Sequence, residues 1–77
     1  MSGADLEQTV RAIAREATGK DGAADPLADG GLDSVAMVRL LAAVEDGFAL
    51  TVPPGEIVPE NFASLPALVA LIRRLRT

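Results

Sequence analysis

A serine follows two glycines and an aspartate in the stretch GGLDSV, residues 30–35, and an apolar run begins directly after it. Two roles are open to this serine. The side chain of Asp33 or Ser34 could cap a helix by accepting a hydrogen bond from a free backbone N–H group of its first turn. Alternatively, the Ser34 hydroxyl is a site of covalent chemistry. Gly30 and Gly31 let the chain turn and, lacking side chains, leave the serine accessible.

The composition limits what the chain can catalyse unaided. It contains no histidine and no cysteine, so the usual general base, a disulfide framework and a thiolate metal site are all missing. A chain of 77 residues buries only about 60% of its unfolded surface, which does not favour a deep catalytic cavity. We therefore expect a non-catalytic protein. A small enzyme is the alternative, and turnover by the purified chain alone would support it.

Four aspartates recur at intervals of four residues, at Asp21, Asp25, Asp29 and Asp33. A calcium-binding loop of the EF-hand type needs oxygen ligands at its first, third and fifth positions and a glutamate at its twelfth. Counted from Asp21 or from Asp25, apolar residues occupy the third and twelfth positions. We predict no metal site here and interpret these aspartates as loop formers and solvated charge.

The charge balance points to a class of partner. Acidic side chains outnumber basic ones eleven to seven, which gives a net charge of −4. Negative charge repels phosphate backbones, so we expect no nucleic-acid partner and favour a basic protein partner. The N-terminal MSGADLEQ does not resemble a signal peptide, and no apolar run approaches the roughly 20 residues of a membrane span. The sequence predicts a cytoplasmic protein, and we expect a monomer.

Helical periodicity organises the first part of the chain. A first helix is predicted to end at Gly19, because its apolar residues recur at intervals of three and four. These residues are Leu6, Val10, Ile13, Ala14 and Ala17. The following KDGAADPLADGG has no period and is predicted to be a long loop with core contacts at Leu27 and Leu32. Loops of this length are uncommon and often functional.

The remaining elements complete a small bundle. We predict a second helix from Ser34 to Asp46 that ends at Gly47, a short helical turn over 59–62, and a last helix capped by Ser64. The expected core residues of the last helix are Leu65, Leu68, Val69, Leu71, Ile72 and Leu75. Its final turn holds Arg73, Arg74 and Arg76, which suit the negative end of the helix dipole. The prediction is one all-α domain over 1–77, a four-helix bundle with three longer helices and one short helix.

The second predicted helix is apolar on two sides. At about 100° per residue from Ser34, one apolar arc spans roughly 240° to 340° and another spans roughly 40° to 100°. The first arc is assigned to the core and holds Met37, Leu40, Leu41, Val44 and Phe48. The second holds Val35, Val38 and Ala42, with Arg39, Glu45 and Asp46 at its rim. Burial on two sides or a partner surface would explain it. Acids near a helix C-terminus oppose the dipole and favour a partner surface, while a solvated acidic end is the alternative.

The stretch LDSVAMVRLLAAVEDGF resembles the phosphopantetheine-dependent carrier proteins, which include acyl and peptidyl carrier proteins. The resemblance lies in a loop that ends in an acidic residue and serine, followed by an apolar residue, a helix, an acidic pair and a phenylalanine. The flanking helices agree with the four-helix bundle of acyl carrier proteins, so the resemblance extends from Leu6 to Leu75.

The resemblance implies that Ser34 carries 4′-phosphopantetheine through a phosphodiester. A serine hydroxyl is a weak nucleophile, so a phosphopantetheinyl transferase would supply the base and metal and take the group from coenzyme A. Asp33 would act as a helix cap, as a contact for the transferase or its metal, or as both. The implied partner contacts are Val35, Val38, Arg39, Ala42, Glu45 and Asp46. Beyond the transferase, the implied partners are a loading enzyme (an adenylating ligase or acyltransferase) and downstream synthase or tailoring enzymes.

The resemblance also bears on the cargo. Fatty-acid carriers usually have an acidic residue where this chain has Arg39, which interrupts the acidic face. The run VRLLAAVEDGF is closer to free-standing carriers of specialised polyketide or nonribosomal peptide pathways, which hold aminoacyl groups, other acyl groups or unusual extender units. A housekeeping fatty-acid carrier and a helical interaction module in which Ser34 is only a cap are the alternatives. The absence of Pro/Ala-rich linkers favours a free-standing carrier over an excised domain.

Overall fold

The computed structural model describes residues 3–20, 22, 24–28 and 32–76, with side chains from Asp5 onward. These residues form three α-helices and two short 3₁₀ turns and contain no strand. In chain order they are α1 (Gly3–Thr18), α2 (Ser34–Phe48), a first 3₁₀ turn (Pro54–Glu56), a second 3₁₀ turn (Pro59–Phe62) and α3 (Leu65–Arg76). The predicted all-α class is confirmed.

The predicted count of four helices is not confirmed, because the short fourth segment is a 3₁₀ turn. Proline opens both 3₁₀ turns, at Pro54 and Pro59. Its fixed φ and missing N–H are compatible with the first turn of a helix. Val58, directly before Pro59, is extended with ψ at 152°, as the steric demand of a following proline requires. The first 3₁₀ turn was not predicted.

The core lies between the three helices and agrees closely with the predicted positions. α1 packs against both α2 and α3. Buried apolar residues include Leu6, Val10, Ala14, Ala17, Leu27, Leu40, Val44, Leu65, Leu68, Val69, Leu71 and Ile72. Leu32 of the loop and five other predicted core residues are only partly buried. These five are Ile13, Met37, Leu41, Phe48 and Leu75. Sequence reasoning missed the buried Pro26, Ala36, Val52 and Phe62.

α1 ends where predicted. Gly19 has a φ of +73°, in the left-handed region that glycine adopts at helix C-termini without steric cost. Its amide donates to the carbonyl oxygen of Arg15 at 2.8 Å.

The predicted end of α2 is wrong. The helix continues through Gly47 and Phe48 and ends at Ala49, which has a φ of 53°. The Ala49 and Leu50 amides both donate to the carbonyl oxygen of Glu45 and so satisfy the helix terminus. Gly47 instead lies in the helix beside α1, where a Cβ would stand 3.4 Å from Cδ1 of Ile13.

Two side chains hold the start of α3. The Ser64 hydroxyl oxygen accepts a hydrogen bond from the Ala67 amide at 3.2 Å, which confirms the predicted cap. The Asp25 carboxylate accepts from the Leu65 amide at 3.0 and 3.2 Å, and also from the Leu27 amide at 3.0 Å. Asp25 thereby ties the loop between α1 and α2 to α3. None of the described helices is long and apolar enough to span a membrane.

Candidate functional site

Asp33 and Ser34 have separate positions at the start of α2. Asp33 is the N-cap residue, with extended backbone, and its Oδ1 accepts a hydrogen bond from the Ala36 amide at 2.7 Å. Its carbonyl oxygen also accepts from the Met37 amide at 2.8 Å. Ser34 is the first helical residue. The aspartate therefore caps the helix, which settles the choice between these two side chains.

The Ser34 hydroxyl is left unused by the fold. The residue is exposed, and its hydroxyl makes no hydrogen bond within the part of the chain that the structure describes. Ser64 stands in a similar cap-like setting but is half-buried, and its oxygen is engaged by the Ala67 amide. Ser2, Gly30 and Gly31 lie outside the described residues.

The surroundings of Ser34 suit an anion attached to its oxygen. The first turn of α2 presents the positive end of the helix dipole, and the amides of Ser34 and Val35 precede the first bonds of the helical ladder. Free N–H groups at a helix N-terminus favour a phosphate group. Ser34 is exposed, and its hydroxyl makes no hydrogen bond to any side chain among the described residues.

The second apolar arc of α2 is exposed. Val35 is 59% exposed and Val38 is 68% exposed, and Ala42 is exposed as well. The alternative that this arc is buried on a second side is wrong. We define these three residues as the α2 patch. Ile57, 37% exposed after the first 3₁₀ turn, is a further apolar surface residue that sequence reasoning missed. Only Ile57 and Val58 are apolar between Pro54 and Pro59, and two adjacent residues are too few to show a period.

The three rim residues are not equivalent. Arg39 and Asp46 are exposed, whereas Glu45 is half-buried and its Oε2 accepts a hydrogen bond from the Val52 amide at 2.8 Å. This bond holds the segment after α2 against the helix and is sufficient reason for an acid near the helix C-terminus. Arg39 forms no ion pair with any described residue.

A groove between α1 and α2 was not predicted. It has a volume of about 330 Å³ and is lined by Ile13, Glu16 and Ala17 of α1 and by Arg39 and Ala43 of α2. Its floor is apolar, and its exposed Glu16 and Arg39 carry opposite charges. No local pattern could have indicated it, because it depends on how the two helices pack.

Comparisons with known proteins gave a family match and curated relatives. Residues 8–72 match the protein family described as "Phosphopantetheine attachment site". The chain is 46% identical over 46 residues to aminoacyl carrier protein 1 of Bradyrhizobium diazoefficiens, a match that covers 60% of this chain and 51% of that protein. It is 48% identical over 46 residues to aminoacyl carrier protein 2 of the same organism, which covers 60% and 52%. The chain thus spans about half the length of these curated relatives. No solved structure matches it significantly.

Proposed function

Because the chain belongs to the phosphopantetheine attachment-site family and is a carrier protein with covalent 4′-phosphopantetheine, we propose that Ser34 is the attachment residue and that the cargo is an α-aminoacyl group. The prosthetic group supplies a thiol, on which carrier proteins hold their cargo as a thioester. The chain itself would be the non-catalytic subunit of a specialised pathway of the polyketide or nonribosomal peptide type.

One observation carries the assignment of Ser34. Its hydroxyl is exposed and makes no hydrogen bond within the described chain, while the neighbouring Asp33 caps the helix. If Ser34 were only a cap, its oxygen would accept an amide hydrogen bond of the first turn, as the Ser64 oxygen does. An accessible hydroxyl is what a transferase needs, because the enzyme must place its own base and metal around this atom.

The cargo proposal rests on two observations. The curated relatives are named aminoacyl carrier proteins. Arg39 also stands unpaired and exposed in the part of the chain described, at a position where fatty-acid carriers usually present an acid. An adenylating ligase that couples the amino acid to the thiol would be the matching loading enzyme.

The partner enzymes of this proposal would bind the α2 patch. An apolar surface of this kind beside the attachment serine suits partners that must approach Ser34. Of the rim residues, Arg39 and Asp46 offer exposed charges for pairing with a partner. Glu45 is already engaged with the Val52 amide, so we assign it a smaller share of the contact.

Labelling tests the attachment residue. The protein is incubated with coenzyme A and a broad-range phosphopantetheinyl transferase, and intact mass and peptide mapping are measured. We expect one phosphopantetheine moiety, on Ser34. The Ser34→Ala variant should remain unlabelled, and Ser64→Ala, the matched control, should be labelled normally. A label on another residue, or an unchanged label on Ser34→Ala, would refute the assignment.

The mass of the native loaded species tests the cargo. The protein is isolated from its own cells in acid, which preserves thioesters, and its mass is measured before and after hydroxylamine treatment. We expect a hydroxylamine-sensitive addition with the mass of an α-amino acid residue. A malonyl or long-chain acyl addition would contradict the aminoacyl proposal and leave the Ser34 assignment standing.

A further inference from the structure

The groove between α1 and α2 brings two opposite charges together over an apolar floor. Glu16 contributes a carboxylate from α1, Arg39 contributes a guanidinium from α2, and Ile13, Ala17 and Ala43 lie with them along the groove. Neither charged residue is explained by packing, because both are exposed. The groove therefore has the composition of a binding site for a small polar molecule with an apolar part.

These two charges do not neutralise each other. Arg11 pairs with Glu7, and Arg74 pairs with Glu56. Glu16 and Arg39 share a groove without pairing with each other, and neither forms an ion pair with another residue that the structure describes. An anionic acceptor and a cationic donor are thus both free to bind a guest that lies between them.

The groove is within reach of a group attached to Ser34. At a rise of about 1.5 Å per residue, Arg39 lies about 7.5 Å and Ala43 about 13.5 Å from Ser34 along the axis of α2. An extended pantetheine arm is longer than either distance. Tethering also raises the effective concentration of the guest to about the millimolar range, so that even a weak surface contact becomes populated.

We propose that this groove holds the tethered α-aminoacyl group, with Glu16 accepting hydrogen bonds from its ammonium and Arg39 donating to its carbonyl oxygen. This inference rests on the proposed function and deepens it. An aminoacyl thioester combines a cation, a carbonyl acceptor and a side chain, which match the carboxylate, the guanidinium and the apolar floor. A simple acyl group lacks the cation, and a malonyl group would place its carboxylate near Glu16, where the two like charges repel each other.

The test compares two cargoes that differ only in the ammonium. Isotope-labelled protein is modified at Ser34 with amide-linked alanyl and propionyl pantetheine analogues, and backbone amide chemical shifts are compared with those of the unloaded form. We expect the alanyl analogue to shift the amides of Ile13, Ala17 and Ala43 more than the propionyl analogue does. Glu16→Gln should abolish this difference, and the control Glu60→Gln, an exposed acid of the second 3₁₀ turn, should preserve it.

The outcomes test the groove as the cargo site separately from Ser34 as the attachment residue. Equal shifts with both analogues, or an unchanged difference in Glu16→Gln, would overturn the groove as the cargo site and leave Ser34 as the attachment residue. Failure of either analogue to attach to Ser34 would overturn the proposed function and this inference with it. A well-dispersed amide spectrum of Glu16→Gln confirms that the variant is folded, as expected for an exposed residue.

Discussion

At the scale of single residues, the two polar side chains at the start of α2 differ in what they bind. Asp33 uses its carboxylate to cap the helix, and Ser34, one residue later, keeps an exposed hydroxyl. The proposed modification of Ser34 would therefore leave the cap intact. The two side chains can also be tested independently.

Replacement of Asp33 distinguishes its two possible roles. Asp33→Ala should lower the free energy of unfolding by about 0.5–2 kcal/mol, because the Ala36 amide loses its acceptor. Asp33→Asn keeps a capping oxygen and should retain most of the stability; urea denaturation measures both. If Asp33→Asn is stable and modified at the normal rate, the carboxylate acts as a cap. A stable variant that is modified slowly would assign it a direct contact with the transferase.

Val35→Asp tests the α2 patch. We expect this variant to stay folded, because Val35 is 59% exposed. Its modification by the transferase, or its loading, should be slower than that of the protein without the substitution. The matched control is Ala70→Asp, which adds the same charge at an exposed position of α3. Circular dichroism and labelling rates measure the two effects. An unfolded Val35→Asp, or equal labelling rates for both variants, would argue against the patch as a partner surface.

At the scale of helices, Gly19 and Gly47 have different roles, although the sequence predicts that each ends a helix. Gly19 ends α1 with a φ of +73°, whereas Gly47 lies inside α2 without a positive φ. Local sequence does not separate these cases. Glycine is compatible with a helix end and with a helix interior, and here Ala49 takes the left-handed conformation that ends α2.

Alanine substitutions at these glycines should have opposite effects. Gly47→Ala should raise the free energy of unfolding by up to about 1 kcal/mol, because alanine favours the helix. Its Cβ would lie 3.4 Å from Cδ1 of Ile13, the end of a flexible side chain. Gly19→Ala should lower the free energy of unfolding by about 1–2 kcal/mol through left-handed strain. Thermal unfolding of the two variants gives the comparison, and destabilisation by Gly47→Ala would show that α1 and α2 pack too closely for a methyl group.

The two phenylalanines provide a matched pair for packing between elements. Phe62 of the second 3₁₀ turn is 2% exposed, so Phe62→Ala should cost about 3–5 kcal/mol. The position of Phe48 on the core arc of α2 predicts full burial, for which Phe48→Ala would cost the same. Phe48 is only partly buried, and the Arg76 guanidinium lies 5.9 Å from its ring centroid. Phe48→Ala should therefore cost clearly less than Phe62→Ala in urea denaturation, and equal costs would contradict this difference in burial.

At the scale of the whole molecule, the distribution of charge bears on the partners proposed above. The chain has a net charge of −4, yet Arg39 places an unpaired positive charge beside the α2 patch in the described part of the structure. A local ion pair, which at a surface contributes only about 0–1 kcal/mol to stability, would explain Arg39 without any partner protein. Its absence leaves Arg39 available to attract some enzymes and repel others.

Reversal of this charge should change which loading enzymes accept the protein. We expect the phosphopantetheinylated protein to be a poor substrate for a fatty-acid malonyl transferase, because Arg39 would repel the basic surface expected of such an enzyme. Arg39→Glu should improve malonyl loading. Arg73→Glu, at an exposed position of α3, controls for the change in net charge. Malonylation rates followed by mass spectrometry provide the measurement. Efficient malonyl loading of the phosphopantetheinylated protein without any substitution, together with an unchanged loading rate in Arg39→Glu, would favour a role in ordinary fatty-acid synthesis.

Features that depend on residues close together in the chain could be predicted from the amino-acid sequence. Helical periodicity predicted α1, the start of α2 and the core face of α3, because side chains three and four residues apart share a helix face. The Ser64 cap and the Gly19 terminus were predictable for the same reason, since a cap acts within one turn. The position of Ser34 at a helix start also followed from local order alone.

Features that join residues far apart in the chain depend on how the helices pack and could not be predicted. The bond between the Asp25 carboxylate and the Leu65 amide spans 40 residues, and the groove that contains Glu16 and Arg39 exists only where α1 crosses α2. The α2 patch has the periodicity expected of a second buried face, but it is exposed to solvent, because α1 packs against another side of the helix. Periodicity shows which residues share a face, but the positions of the other helices decide which face is covered.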